Sequence, residues 1–135
     1  METLSTQRLI EIKFGNAFDF HPEFFKEFNE LVVGSGCEVQ IIKQLMSRLG
    51  MIIELKNIDC GLKWLEKLKK HENLYSLHID VAKTNYRLLF SKVSDKKLFL
   101  HVFYEKAGKR VSSYDGHVPI ALNRRKEVMG EVIYD

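Results

Sequence analysis

Two residues in neighbouring alternating segments carry the chemistry most easily read from this chain. They are His78, in LYSLHIDV (74–81), and Arg87, in YRLLFSKV (86–93). Histidine has an ordinary pKa of about 6.5 and can take or give a proton near neutrality. The planar fork of arginine binds two phosphate oxygens at once. Together they suit cleavage of RNA by its own 2′-hydroxyl. In that reaction a base removes the 2′ proton, cations stabilise a phosphorane and an acid protonates the leaving 5′-oxygen. The chemistry requires no metal and no cofactor. The plainer alternative is a surface histidine beside a structural arginine that pairs with Asp80.

The other candidates read differently. His101 lies mid-strand between Leu100 and Val102, with Phe99 and Phe103 expected on its face, a setting for a partly buried, hydrogen-bonded ring. His117 precedes an expected helix and reads as a cap, and His71 follows a basic helix end. Cys37 and Cys60 stand in unrelated contexts, which excludes a disulfide framework and a cysteine-based zinc site.

The elements that must position these residues follow from periodicity. Ile10, Ile12 and Phe14 alternate with Leu9, Glu11 and Lys13, which predicts a strand over 8–14. Phe24, Phe28, Leu31 and Val32 form a helical stripe over 22–33, with Pro22 in the first turn and Gly34 past the end. Ser35-x-x-Glu38 reads as a capping box. It opens a helix to about Leu49, with Val39, Ile42, Met46 and Leu49 inward and Gly50 as its C-cap. Residues 51–58 read as a short extended piece. Leu62, Leu65 and Leu68 predict a short helix over 61–71, whose tail of Lys67, Lys69, Lys70 and His71 suits the negative end of a helix dipole.

Strands are predicted at 74–81, 86–93 and 97–104, antiparallel because their connections are short. Residues 105–118 read as a polar, cation-rich loop, and Pro119 as the start of a helix to Gly130. The expected fold class is α+β: an antiparallel β-meander with the N-terminal strand in the same sheet, flanked by two N-terminal helices and a C-terminal helix.

The composition bounds the rest. At 135 residues the chain reads as a single domain over 1–135. Its 45% hydrophobic and 29% charged content excludes a disordered class. No apolar run approaches the roughly 20 residues of a membrane span, and the N-terminus lacks a leader pattern. A cytoplasmic protein with reduced thiols and no membrane partner is expected. Residues 1–60 hold 6 basic and 9 acidic residues, whereas residues 61–135 hold 15 and 9. That asymmetry points the second half toward a polyanion.

The stretch YSLHIDVAKTNYRLLFSKVSDKKLFLHVFYEKAGKR, with the closing Ala121-Leu122-Asn123-Arg124, resembles the RelE/ParE toxin superfamily, nearest its HigB-like, phage-derived branch. The resemblance covers roughly residues 70–130. It implies a RelE-like fold, and the toxin of a type II toxin–antitoxin system: a ribonuclease that cleaves mRNA, usually on the ribosome. It also implies a cognate antitoxin covering the active surface, with a helix-turn-helix protein as one expected kind.

By the same resemblance Arg87 matches the phosphate-binding arginine, His78 a basic position on the preceding strand, and Lys106 the basic position closing the last strand. These three form the implied catalytic set. Lys109 and Arg110 extend the cations, Tyr114 stands where some members stack an aromatic on a base, and Lys70 joins the RNA-binding set.

The chain departs from the pattern in three places. Ser76 replaces a lysine of ribosome-dependent members, Tyr114-Asp115-Gly116-His117 replaces the usual Thr-Pro helix start, and extra length falls around 50–70. A non-catalytic protein of the same fold, binding a protein partner or DNA with its antitoxin, is the alternative. A gyrase-directed toxin is a third.

Overall fold

The alternating segments of the second half fold as strands that pair in chain order. In the computed structural model, which describes residues 3–58, 61–106 and 108–130, they are β3 (Tyr75–Val81), β4 (Thr84–Val93) and β5 (Lys96–Tyr104). Leu77 faces Leu88, and Leu88 faces Val102, in antiparallel register. Two-residue loops close both hairpins, with Val81 opposite Thr84 and Val93 opposite Lys96. The first loop residue of each, Ala82 and Ser94, takes a positive φ of 55° and 57°.

The N-terminal half departs from the expected order. Residues 8–14 belong to a helix, α1 (Thr3–Phe14), not a strand. Thr6, Ile10 and Phe14 lie four residues apart and face the protein, while Ile12 is 73% exposed. Ile10 and Phe14 satisfy both periods, and Ile12 is the residue that distinguishes them. The sheet still takes an N-terminal strand, but it is β1 (Phe18–Phe20), which runs parallel to β5 and makes the sheet mixed.

Two more helices follow, α2 (Phe24–Val32) and α3 (Glu38–Glu54). The two expected N-terminal helices correspond to α2 and α3, and α1 is an additional one where a strand was expected. Ser35 and Glu38 do not close the expected box. Glu38 instead accepts from the Gly34 N–H at 3.0 Å, and Ser35 Oγ from the Cys37 N–H at 3.3 Å. Gly50 is inside α3 rather than capping it, since the helix runs on to Glu54 with Ile52 buried. Val39 points to solvent, and Ile41 and Leu45 point inward.

Residues 61–71 form no helix. They contribute the short edge strand β2 (Leu65–Lys67), antiparallel to β3. The dipole explanation for Lys69, Lys70 and His71 falls with the helix. The expected loop at 105–118 is mostly helical: α4 (Arg110–Met129) begins there, and Pro119 lies in its middle rather than at its start.

The sheet order is β1-β5-β4-β3-β2. One face, with Leu77, Ile79, Leu88, Phe90 and Phe99, packs on Phe24, Phe28, Ile41 and Leu45 of α2 and α3. The other, with Leu89, Leu98 and Phe103, packs on Tyr114, Val118 and Ala121 of α4. A register shift between Leu89 and Phe90 sets these faces on β5. Phe99 turns to the N-terminal helices while His101 and Phe103 turn to α4, so Phe99 and His101 do not share a face. Among the described residues no helix is long and apolar enough to cross a membrane.

Candidate functional site

By lying across β3–β5, α4 leaves a cleft on each flank. The cleft on the β2 side has a volume of about 780 Å³ and is lined by Lys63, Lys67, Lys69, Lys70 and Arg110, with His78 among its polar groups. Glu66 and Asp115 are the acidic residues in it. Four of the expected site residues, Lys70, His78, Arg110 and Tyr114, therefore share one groove.

Glu66 organises that groove. Its carboxylate accepts from His78 Nε2 at 3.2 Å and pairs with the Arg110 guanidinium. Burial pushes the Glu66 carboxyl up, but the Arg110 hydrogen bond, with the Arg110 and His78 charges, outweighs it and holds the pKa below the usual range. The acceptor at Nε2 places the ring proton there and leaves the lone pair on Nδ1. Burial, and then the Arg87 charge, lower the His78 pKa by more than Glu66 restores, so the ring is neutral at pH 7.

Tyr114 also lines this groove, but its ring is not open for a base. It is 8% exposed, lies under the Arg110 guanidinium at 4.8 Å and meets Phe103 edge-on at 5.2 Å. Its hydroxyl is 2.8 Å from Ser76 Oγ, which is buried beneath it. The expected stacking role gives way to packing, because α4 begins early enough to carry Tyr114 onto the sheet.

Arg87 lines neither cleft. It is 7% exposed and held through two of its nitrogens: Nε donates to Glu105 at 2.8 Å, and Nη1 to Asp80 at 2.9 Å and to the Tyr86 carbonyl at 3.0 Å. Burial lowers its pKa, but the hydrogen bonds and charges of Asp80 and Glu105 outweigh burial and raise it. The β3–β4 hairpin supplies Asp80, and Glu105 arrives through its N–H on the Asn85 carbonyl at 2.8 Å. Arg87 therefore meets two carboxylates where a phosphate contact was expected.

The second cleft, about 450 Å³, lies on the β5 side and is lined by Tyr104, Lys106, Lys109, Ser112, Ser113 and His117. It holds Lys106 and Lys109, which α4 separates from His78. Behind it runs a chain of polar side chains. His117 Nδ1 is 2.7 Å from His101 Nε2, and His101 Nδ1 is 2.9 Å from Glu27 Oε1. Arg124 holds Glu27 through both carboxylate oxygens, at 2.6 and 2.7 Å. Burial lowers the pKa of both imidazoles by more than Glu27 restores.

This chain of groups escapes the sequence reading because it joins β5, α2 and α4. The available signal was the spacing Tyr114, Val118, Ala121, an apolar helical stripe that would have carried His117 onto α4. Compared with known proteins, the chain matches no family model and shows no significant similarity to a curated sequence.

Proposed function

We propose that the protein is a metal-independent endoribonuclease, the toxin of a type II toxin–antitoxin system. It cleaves mRNA in the cytoplasm, on the ribosome, and a cognate antitoxin covers its basic clefts. The observation that carries this reading is the concave groove between β2 and α4, which gathers Lys63, Lys67, Lys69, Lys70 and Arg110 around a largely apolar lining, with a neutral histidine among its polar groups. A single RNA strand offers the complementary shape and charge. Lys70 and Arg110 neutralise phosphates, and His78 orients the strand.

Binding in such a groove is dominated by counterion release. Removing Lys70 is expected to lower the slope of log affinity against log salt by about 0.7, the single-strand value. Affinity indifferent to salt would place RNA elsewhere. The test of function is to induce the protein, map mRNA 5′ ends, and repeat cleavage with purified protein in a chelator. Products ending in 2′,3′-cyclic phosphate are expected, and His78→Ala should slow cleavage by about tenfold or less, the worth of one hydrogen bond. Cleavage that requires magnesium would overturn the mechanism.

A second reading has its own observation. Asp80 and Glu105 neutralise Arg87, so the residue matched to the phosphate-binding arginine is occupied. That favours a protein of this fold that binds a protein partner, or DNA with its antitoxin, without cutting RNA. Absence of any new 5′ end on induction would select it.

A further inference from the structure

Glu27 on α2, His101 on β5 and His117 on α4 form a file of hydrogen bonds that ends at the second cleft. The direction of each proton follows from the far end. Glu27 is a carboxylate: burial raises its pKa, but Arg124 and His101 outweigh burial and hold it below its ordinary range. It can only accept, so His101 Nδ1 carries a hydrogen; Arg124 Nη1 lies 3.2 Å from the same nitrogen, but its two hydrogens go to Glu27 Oε1 and the Leu100 carbonyl at 2.6 and 3.1 Å. Neutral His101 then presents a lone pair at Nε2. His117 Nδ1 must donate to it, which leaves the His117 lone pair on Nε2. The tautomer is thus imposed by two hydrogen bonds and a charge.

The ring is also held in place. Phe103 stacks on His117 at 4.4 Å with the planes 4° apart, and Arg124 anchors Glu27 and the Leu100 carbonyl together. Lys106, Lys109, Ser112 and Ser113 line the cleft with His117. Lys109 and Arg110 are chain neighbours at the start of α4. A strand lying on Arg110 in the groove can therefore pass over the helix start to Lys109.

We propose that His117 is the proton acceptor of a phosphoryl-transfer site in this second cleft, with Lys106 and Lys109 holding the phosphate and His101 and Glu27 acting as positioning residues. The inference rests on the endoribonuclease reading and places its base across α4 from His78. The 2′-O–H bond breaks and its proton passes to His117 Nε2. The 2′-oxygen forms a bond to phosphorus, and the P–O5′ bond breaks with its electron pair on the 5′-oxygen. That oxygen takes a proton from water, and the His117 imidazolium returns its own to the solvent. The products are a 2′,3′-cyclic phosphate and a 5′-hydroxyl. Glu27, through His101, stabilises the imidazolium that forms.

The charges facing this file are Glu27 from α2, Arg124 from α4, and Lys106 and Lys109 from the cleft rim. The test begins with histidine-ring NMR of the wild-type protein. His117 should be the Nδ1–H tautomer, and inorganic phosphate should shift its Nε2 signal. His117→Ala should lose about 100- to 10,000-fold in cleavage rate, with the acidic limb of the pH profile. RNA affinity should be retained, and added imidazole should restore cleavage, which a packing role would not allow.

An Nε2–H tautomer at His117 would overturn the proposal. So would wild-type rate and pH profile in His117→Ala, or finding the loss and the imidazole rescue at His78 instead, which leaves the nuclease reading standing. If the wild type cleaves no RNA but shows the tautomer and the phosphate response, the nuclease reading fails and the phosphoryl-anion site stands. If it shows neither cleavage nor phosphate response, both fail.

Discussion

At the scale of the residue, Arg87 illustrates how burial changes what a substitution reports. Alternation along β4 places it opposite His78, and the pairing with Asp80 weighed against a phosphate role is present. Glu105 could not be foreseen, because it lies past the end of the next strand and reaches Arg87 through sheet register. Glu105 is largely buried but Asp80 is half-exposed, so removing Arg87 costs about 3 kcal/mol, the low end for a buried pair and more than an exposed pair is worth. Arg87→Ala is therefore expected to lower urea stability by an amount of that order, and Arg87→Lys by less. A melt unchanged in Arg87→Ala would show the carboxylates relaxing to water. Loss of activity in that variant is uninformative unless the melt is measured beside it. Tyr114→Phe is the milder case. It strands the Ser76 hydroxyl beneath the ring and should cost about 1 kcal/mol by the same melt.

At the scale of the element, α4 carries an internal inconsistency that can be measured. Pro119 lacks an N–H and sits in the middle of a 20-residue helix, on its exposed side. A proline there is less favourable than alanine by up to about 3 kcal/mol. Pro119→Ala should stabilise the protein by roughly 1–3 kcal/mol, visible as a raised urea midpoint. No gain would mean that the helix bends there and needs the ring.

Strands β3, β4 and β5 and the cores of α2 and α3 were legible, whereas α1, β1, β2 and the start of α4 were not, for a physical reason. Leu77, Ile79, Leu88 and Phe90 sit in a sheet covered on both faces, and their alternation has no helical counterpart. Ile10 and Phe14 fit either period. Leu62, Leu65 and Leu68 have helical spacing, yet Leu65 pairs with Leu77 because β3 offers an open edge. Pro119 drew the helix start nine residues late and hid His117 in a supposed loop. Of the expected site residues, Lys70, His78, Arg110 and Tyr114 line one groove, whereas Lys106 and Lys109 line the other, across that same helix.

At the scale of the whole molecule, three imidazoles held neutral make the fold acid-sensitive before its carboxylates titrate. His78, His101 and His117 all have folded pKa values below the ordinary 6.5, chiefly through burial. The unfolded chain binds these protons first, so stability falls as pH drops from about 6.5 toward the lower folded values and is flat above. Glu27 and Glu66, held below their ordinary 4.5, add a second loss further down. Thermal melts from pH 8 to 4 should show a plateau and then a falling Tm that begins near pH 6.5. A decline starting only below pH 5 would assign the loss to carboxylates alone.

The parallel pairing of β1 with β5 has a separate consequence, for the order of assembly. Phe18 lies opposite Lys97, a contact that closes a loop of about 80 residues, whereas β3, β4 and β5 meet through two-residue turns. The hairpins can form a nucleus locally, and β1 docks on a surface already made. Weakening β1 with Phe20→Leu should therefore speed unfolding and leave the refolding rate nearly unchanged, while Leu88→Ala in β4 should slow refolding. Stopped-flow chevrons of the two variants separate these limbs.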